Sequence, residues 1–324
     1  MGRAIARRLR DTGWEVTVAS RGGDLPEELV GVRGVELDRE DAGALDVANG
    51  SDVVVDVVPF ERRHAEQLLA LDVGAIVAIS SASVYADEQG LTLDEAQAVD
   101  DFPDFPVPIP ETQPTVEPGD ATYSTKKAAV ERALLENDRV PATIVRPCAI
   151  YGRGDRMARE FHFVKRALDE RPYVVMTGKG ESLFHTTASE NIGELVRLVC
   201  EQPGTRVFNC GDPDPPTLLQ ISRRIADAVG HERTEVLLPS WAHRGETAQT
   251  PWSVPKPLLV DMRAAEGELG YRPAALWHSA VVEQSQWLVE VTRDRDWKDV
   301  LPRGAQYLRF DYAAEDELVR ELVP

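Results

Sequence analysis

Two kinds of hydrophobic pattern alternate along the first half of the chain. Residues 52–58 form a nearly continuous run of Val, and residues 74–81 form a second apolar run. Runs of this kind are typical of strands that are buried on both faces of a parallel sheet. Residues 2–12 and 62–71 instead carry apolar side chains at helical spacing. This alternation of strands and helices predicts an α/β fold with a parallel sheet.

The pattern changes twice further along the chain. Between residues 87 and 120, Pro and acidic residues are frequent, which predicts either a long ordered loop or a partly mobile lid. After a predicted strand at 142–145, helices become more common than strands. The predicted helices lie at 157–169, 189–200, 217–229 and 276–291, with short strands near 173–176 and 206–209.

These changes predict two regions. Residues 1–152 form the first domain, to which segments near 183–211 return, and residues 153–324 form mainly a smaller C-terminal region. The last stretch, 296–324, is predicted to be a tail with some amphipathic helical character.

The composition excludes several classes of partner. The 324 residues carry a formal net charge of −19, and a surface this acidic repels phosphate backbones, so no nucleic-acid partner is expected. Apolar runs have strand length and no secretory signal is visible, so no membrane partner is expected. Cys148, Cys200 and Cys210 show no paired spacing, which favours reduced thiols in the cytoplasm. The histidines are scattered, so no metal site is expected.

Tyr123 and Lys127 stand one helical turn apart in a segment, 122–137, that favours helix. Both side chains should share a face with Val130 and Leu134 and point toward a cleft or the core. A phenol with a pKa of about 10 becomes a base at neutral pH if its anion gains about 4 kcal/mol. One cation about 4 Å away supplies about that much at an effective dielectric constant near 20. Lys127 is the candidate cation, although such pairs also occur by chance on many helices.

A serine-rich segment begins at the end of the predicted strand 74–81. It reads Ser80-Ser81-Ala82-Ser83-Val84-Tyr85. In an open parallel sheet, ligands bind beyond the carboxyl ends of the strands, so a hydroxyl at this place can bond a substrate oxygen. A serine-rich turn is common without any function. Together with Tyr123 and Lys127, however, the segment completes a Ser–Tyr–Lys set in chain order.

With these motifs the sequence resembles the extended short-chain dehydrogenases/reductases, also called the NAD-dependent epimerase/dehydratase family. The resemblance covers most of the chain and is specific for the superfamily rather than for a substrate. Its motifs are Gly2-Arg3-Ala4-Ile5-Ala6, Leu37-Asp38 with Asp41, Asp52-Val53-Val54-Val55, Ser81-Ala82-Ser83-Val84-Tyr85, Tyr123 with Lys127 and Glu131, Arg146-Pro147 with Tyr151-Gly152, Phe208-Asn209 with Gly211-Asp212, and Leu269-Gly270-Tyr271-Arg272-Pro273.

The resemblance implies a Rossmann-like, doubly wound sheet with a dinucleotide-binding domain in residues 1–152 and a substrate-binding region in 153–324. Tyr123 would be the acid/base, Lys127 would hold the nicotinamide ribose and lower the pKa of Tyr123, and Ser81 would orient the substrate oxygen. The family also implies dimerisation through the Tyr123 helix. The residues expected to bind the cofactor are Gly2, Ser20, Arg21, Asp38, Val58 and Pro147.

The turn at Ser20-Arg21 bears on the choice of cofactor. A carboxylate at this strand end would bind the ribose 2′-hydroxyl of NAD, whereas an Arg suits the 2′-phosphate of NADP. Arg21 stands at this place and the first acidic residue is Asp24, so NADP is favoured over NAD. The alternative is that Arg21 is an ordinary solvated turn residue.

The sequence departs from the family at its start. The family opens with a strand and a Gly-x-x-Gly-x-x-Gly turn that cradles the pyrophosphate, whereas Met1-Gly2-Arg3 begins where the third glycine is expected. Either the natural protein carries roughly a dozen more residues, enough for a strand and its turn, or it binds the dinucleotide poorly. The first explanation is favoured because Ser81, Tyr123 and Lys127 are all in place.

The expected function is an NAD(P)-dependent oxidoreductase or epimerase/dehydratase that acts on a carbonyl or secondary alcohol of a small molecule, with a nucleotide sugar as one candidate. The alternative is a dinucleotide-binding or regulatory protein without turnover. His185 lies where the family often places a residue near the substrate. Arg153, Arg156 and Arg159 could meet an anionic substrate, but a solvated helix face is the simpler interpretation.

Overall fold

The computed structural model describes residues 1–23, 25–96, 98–239, 241 and 245–322. The strands are β1 (Thr17–Ser20), β2 (Arg33–Glu36), β3 (Val53–Asp56), β4 (Ala75–Ile79), β5 (Ala142–Pro147), β6 (Ala149–Tyr151), β7 (Tyr173–Met176), β8 (Thr186–Ala188), β9 (Arg206–Cys210) and β10 (Thr234–Leu237). The helices are α1 (Gly2–Asp11), α2 (Arg62–Leu69), α3 (Tyr123–Leu135), α4 (Phe161–Leu168), α5 (Ser189–Glu201), α6 (Leu218–Val229), α7 (Arg263–Leu269), α8 (Trp277–Thr292), α9 (Trp297–Val300), α10 (Gly304–Tyr307) and α11 (Tyr312–Leu322).

Parallel pairing organises the first region. The main sheet has the strand order β3-β4-β5-β9, and β1 pairs with β2 in a second parallel sheet. Within the described residues no hydrogen-bonded strand joins β1 to β3, which agrees with a sequence pattern whose first element is a helix. Strands β4 and β5 lie in the middle of the main sheet, and every residue in them is buried.

Helices cover both faces of the main sheet, which explains the continuous apolar runs. On β4, Val77 and Ile79 pack against Ile5 of α1 and Ile192 of α5. The alternate residues of β4, Ile76 and Ala78, pack on the other face, in a cluster that contains Leu68 of α2 and Leu134 of α3. Side chains of a strand alternate between the two faces, so a strand covered on both sides needs apolar residues at every position. The predicted doubly wound α/β fold is confirmed.

The C-terminal region has its own core and two short parallel pairs. Strand β6 pairs with β8, and β7 pairs with β10. Helices α4, α6 and α8 enclose a cluster that includes Phe161, Ile221, Trp252 and Leu288, all at most 1% exposed. After β8 the chain returns to the first region, because α5 packs against α1 and β9 pairs with β5.

The Pro-rich segment after β4 is an ordered loop over its described residues. The Asp87 carboxylate accepts backbone hydrogen bonds from Gln89, Leu91 and Asp104 and so holds the start of the loop. Further along, Phe105 and Ile109 are buried in a cluster with Leu258 and Val260 of the C-terminal region. Of the two interpretations from the sequence, the long ordered loop is the one that the structure shows.

The predicted tail contains an amphipathic helix, α11, which is docked against the C-terminal region; the sequence did not predict this docking. Glu315 forms a buried ion pair with Arg166 of α4, and both side chains are 3% exposed. Asp316, its neighbour, binds Arg171 and the Tyr173 hydroxyl. Leu318 completes the contact by packing against Val175 of β7.

Substituting Glu315 by Ala should lower the free energy of unfolding by about 3 kcal/mol, because it leaves the Arg166 guanidinium buried without its counter-ion. The matched control is Glu317→Ala, two residues away on the exposed side of α11, which should change it by less than about 0.5 kcal/mol. Urea unfolding followed by circular dichroism measures both. Equal effects of the two substitutions would contradict the importance of the pair.

Candidate active site

Predicted site residues from five strands meet at one edge of the fold. Ser20 ends β1, Asp38 follows β2, Val58 follows β3, Ser81 follows β4, and Pro147 ends β5. All five strands run parallel to their partners, so this edge collects their carboxyl ends, where ligands of open α/β sheets bind.

Arg39 joins the ends of two strands that do not pair with each other. Its Nη1 atom donates to Oδ2 of Asp56, at the end of β3, over 2.7 Å. Its Nε and Nη2 atoms donate to the Gln67 side chain of α2. The guanidinium therefore fixes the residues after β2, including Asp38, against β3 and α2.

Lys127 points into the protein from α3. Its side chain is 2% exposed, and the Nζ atom donates to the carbonyl oxygens of Ile79 (2.8 Å) and Pro59 (2.9 Å). These carbonyls lie at the ends of β4 and just beyond β3. Burial lowers the pKa of Lys127 to about 8, against the opposing effects of the Asp56 and Glu131 carboxylates.

Tyr123 opens α3 and reaches the surface of the same edge. Thr122 caps the helix: its Oγ1 atom accepts from Thr125 N, and Thr122 N donates back to Thr125 Oγ1. Tyr123 is 45% exposed, so it borders the cleft rather than lying in the core. Its ring lies 6.4 Å from the Phe60 ring and 5.9 Å from the Lys127 Nζ atom.

The pKa of Tyr123 is raised, contrary to the expectation from the sequence. Partial burial disfavours the phenolate and is the largest effect, and the Asp94 carboxylate adds to it. A hydrogen bond from Ser81 and the positive charges of Arg159 and Arg303 oppose the rise without overcoming it. Lys127 is not among the groups that dominate the pKa of Tyr123, and its ammonium donates to two backbone carbonyl oxygens instead of to the phenol. The phenol is therefore protonated at neutral pH.

Polar contacts tie the start of α3 to the serine segment. Ser124 Oγ donates to Ser83 Oγ over 2.9 Å, and Ser81 Oγ accepts from Ser83 N over 3.1 Å. Ser124 N donates to Oδ2 of Asp94 over 2.7 Å. These bonds place the Ser81 hydroxyl beside the Tyr123 phenol. Asp94 was not singled out in the sequence, because its contact with α3 spans a long loop.

A buried ion pair holds α3 against β5. Arg146 Nε donates to Oε1 of Glu131 over 3.0 Å and its Nη2 atom donates to Oε2, and both side chains are at most 5% exposed. The guanidinium also lies 4.8 Å from the centre of the Tyr85 ring. Glu131 stands one turn after Lys127, so the pair fixes the part of α3 from which Lys127 projects.

The other expected cofactor residues lie along the same edge. Arg21 and Asp38 line a cleft of about 470 Å³ together with Glu36 and Asp41. These charged groups fit the ribose hydroxyls or the phosphate of a nucleotide. Arg21 is exposed there, whereas Asp24 lies outside the described residues. Val58 is 42% exposed beside Phe60, which is 38% exposed, so both offer apolar surface at the edge.

Gly2 lies at the start of a helix and Pro147 lies at the end of a central strand. Gly2 begins α1, where an added Cβ atom would lie 3.7 Å from Val57 Cγ2, next to the end of β3. Pro147 is buried and pairs with Cys210 of β9.

His185 is held by the backbone on both sides of its ring. Nδ1 accepts from Val260 N over 3.0 Å, so Nε2 carries the proton and donates to the Asp212 carbonyl oxygen over 2.8 Å. Burial lowers its pKa and keeps the ring neutral. His185 therefore has a structural part in joining β8 to the segment near 260. His243, another of the scattered histidines, lies outside the described residues.

Two negative findings hold for the part of the chain that the structure describes. No group of three or more His, Cys, Asp or Glu side chains there is arranged to hold a metal ion. None of the helices described is both long and apolar enough to cross a bilayer.

A comparison with protein families now decides the class. The sequence model of the NAD dependent epimerase/dehydratase family matches residues 1–211, which is more than half of the chain. The chain belongs to this family. The predicted family and its enzyme class are confirmed. No curated protein sequence matches the chain.

Solved structures support the same fold. The dTDP-glucose 4,6-dehydratase of Streptomyces venezuelae, solved with NAD, is 17% identical with a TM-score of 0.65, covering 92% of this chain and 96% of its own. The UDP-glucose 4-epimerase of Thermotoga maritima is 16% identical with a TM-score of 0.65, covering 90% and 96%. The UDP-glucuronic acid 4-epimerase of Bacillus cereus is 16% identical with a TM-score of 0.62, with the same coverage.

The burial of Lys127 in this family member predicts a pH-dependent stability. Below pH 8 the Lys127 amine is protonated in both the folded and the unfolded state. Between pH 8 and 10.5 the unfolded state binds more protons, so the free energy of unfolding should rise with pH. Relative to Lys127→Met, which has no titrating group at this position, the free energy of unfolding of the wild type should rise by up to about 3 kcal/mol across this window.

Urea unfolding at several pH values measures the gain. The control is Lys126→Met, whose side chain is more exposed and whose stability curve should run parallel to that of the wild type. A Lys127→Met curve that also runs parallel would show that Lys127 keeps an ordinary pKa.

Proposed function

We propose that the protein is an NAD(P)-dependent oxidoreductase or epimerase/dehydratase that acts on a carbonyl or secondary alcohol of a nucleotide sugar. The observation that carries the proposal is the arrangement of Ser81, Tyr123 and Lys127 at the ends of parallel strands. The Ser81 hydroxyl lies beside the Tyr123 phenol at the mouth of the edge, and Lys127 lies buried behind them.

The first region is proposed to hold the dinucleotide, through residues 1–152 and the returning segments near 183–211. Arg21 and Asp38 would bind the adenosine end in the cleft that they line. Ser20, at the end of β1, and Gly2, next to Val57 after β3, are proposed as further cofactor contacts. Val58 and Pro147 would border the nicotinamide end, and Lys127 would hold its ribose. A nicotinamide cofactor bound there would supply hydride transfer from or to a carbon of the substrate.

Tyr123 is the proposed acid/base, and its Oη atom is where the proton is held. Because its pKa is raised, Tyr123 carries the proton at neutral pH and can donate it to a carbonyl oxygen. In the opposite direction Oη must accept the proton of a substrate hydroxyl. The nearby positive charges of Arg159 and Arg303 favour the phenolate and so assist that step.

Ser81 is proposed to orient the reacting oxygen. Its Oγ atom accepts a bond from Ser83 N, which fixes the direction of the hydroxyl hydrogen away from that nitrogen. The hydroxyl is thus free to donate to Tyr123 or to a substrate oxygen placed between them.

A nucleotide sugar is proposed because the solved relatives include proteins bound to such molecules. One was solved with UDP-glucose and NAD, and the Bacillus cereus epimerase with a fluorinated UDP-glucuronic acid and NAD. We also propose a cytoplasmic location, based on three free cysteines, and a homodimer through α3, based on the family resemblance. Sedimentation of the purified protein tests the dimer.

Replacing Tyr123 by Phe should lower kcat by a factor of about 10² to 10⁴ while leaving cofactor affinity nearly unchanged, because only the proton-carrying oxygen is lost. Cofactor reduction over a panel of nucleotide sugars measures kcat, and calorimetric titration measures affinity. The control is Tyr307→Phe, at a ring that is 64% exposed, which should leave both unchanged. Full turnover by Tyr123→Phe would refute the assignment and favour a protein that binds the dinucleotide without chemistry.

For the cofactor we propose NADP, because Arg21 lies exposed in the adenosine cleft. Arg21→Gln should weaken NADP binding about tenfold and leave NAD binding unchanged, since only the 2′-phosphate needs the charge. Arg33→Gln, at the far end of β2, is the control. Tighter binding of NAD than NADP by the wild type would overturn the choice, and the carboxylates of Glu36, Asp38 and Asp41 would then be the ribose ligands.

A further inference from the structure

Asp94 is an exposed acidic residue in the loop between β4 and α3. Its Oδ2 atom accepts a hydrogen bond of 2.7 Å from the backbone nitrogen of Ser124, in the first turn of α3. That nitrogen is one of those for which a helix supplies no partner of its own. The Asp94 side chain therefore binds α3 at the residue next to Tyr123, at the end of the helix where a negative charge is favourable.

The loop that carries Asp94 is held on both sides of this residue. Before it, the Asp87 carboxylate accepts a hydrogen bond of 2.9 Å from the Leu91 nitrogen. After it, Lys256 Nζ donates to the Phe102 carbonyl oxygen over 2.9 Å and so ties the loop to the C-terminal region. Because the loop is held in this way, the Asp94 carboxylate keeps its place beside α3 although water reaches it.

A chain of hydrogen bonds continues from Ser124 to the proposed orienting serine. Ser124 Oγ donates to Ser83 Oγ over 2.9 Å, and Ser83 N donates to Ser81 Oγ over 3.1 Å. Asp94 stands at the outer end of this chain and Ser81 at its inner end. The geometry thus connects Asp94 to both groups that would handle the substrate oxygen, the Ser81 hydroxyl and the Tyr123 phenol.

The charges around Tyr123 come from four parts of the chain and oppose one another. Burial is the largest effect and raises the pKa of the phenol, and the Asp94 carboxylate raises it further. Arg159, just before α4, and Arg303, just before α10, lower it. Lys127, on α3 itself, has its Nζ atom 5.9 Å from the ring centre but donates to two carbonyl oxygens. Among these charged groups, Asp94 is the acidic one.

We propose that Asp94 is a positioning residue for proton transfer by Tyr123. It holds the first turn of α3 against the loop, and its charge disfavours the anionic form of the phenol. A phenol that is kept neutral suits donation of a proton to a carbonyl oxygen, which is the reductive direction. Loss of the charge favours the opposite direction, in which Oη accepts a proton. This inference rests on the proposed function, because Tyr123 is the group through which Asp94 acts.

Nuclear magnetic resonance of the full chain, with a carbon isotope label at Cζ of tyrosine, follows the ionisation of Tyr123 directly. The resonance of Tyr123 is the one that Tyr123→Phe removes. Asp94→Asn keeps an oxygen that can accept from Ser124 N but loses the charge. A unit charge roughly 7 Å away, in surroundings as polar as water, changes the population of an ion about threefold. At a given pH below the midpoint, the phenolate population in Asp94→Asn should therefore be about three times that of the wild type.

Turnover should change in the same sense. In cofactor reduction the phenol accepts a proton, so kcat should rise with pH as the phenolate forms. In Asp94→Asn this rise should begin at a lower pH than in the wild type. A purely structural part for Asp94 would not move it, because the Asn side chain can still accept from Ser124 N.

Two controls separate the charge from the hydrogen bond. Glu95→Gln removes the next acid in the chain, which is also exposed, and should leave the titration of Tyr123 unchanged. Asp94→Ala loses both the charge and the hydrogen bond, so it should shift the titration as Asp94→Asn does and also unfold at a lower temperature. Because water reaches Asp94, about 1 M salt should remove most of the difference between Asp94→Asn and the wild type.

The proposal is overturned if Asp94→Asn titrates as the wild type does, or if Glu95→Gln shifts the titration of Tyr123 equally. An unshifted titration with turnover that still depends on Tyr123 would remove the part of Asp94 and leave the proposed function standing. A shifted titration with turnover that does not depend on Tyr123 would keep the effect of Asp94 on the phenol and overturn the proposed function.

Discussion

The ammonium of Lys127 is the constraint around which the edge of the sheet is arranged. A charge that is 2% exposed must be satisfied by fixed dipoles, and here the carbonyl oxygens of Pro59 and Ile79 provide them. The two carbonyls come from different strand–helix units. One side chain therefore sets the separation of the β3 and β4 ends and the depth at which α3 lies across them.

The remaining contacts of α3 serve the same alignment. Glu131 and Arg146 lock the middle of the helix to β5, while Ser124 and Asp94 lock its start. The backbone of Tyr123 is therefore fixed, and only its side chain can still rotate. Such a support explains how a phenol at the rim of a cleft can keep a fixed distance to the Ser81 hydroxyl.

The sequence predicted those parts of the structure that depend on local pattern. The apolar run of β4 follows from having helices on both faces, and the Tyr123 helix begins and ends within two residues of its predicted limits. The raised pKa of Tyr123 could not be foreseen, because it depends on which groups the fold brings near the phenol. The docking of α11 depends on Arg166 and Glu315, which are 149 residues apart in the chain, and neither carries a local signal for the other.

The pairing of β9 with β5 has a consequence for how the molecule assembles. Thr143 pairs with Arg206, and the residues between them, which include the elements from β6 to α5, form a closed excursion of the chain. The main sheet gains its last strand only when that excursion has been brought back, which costs loop-closure entropy before the pairing repays it. The two regions should consequently gain or lose their structure together, as one cooperative unit rather than as independently melting halves.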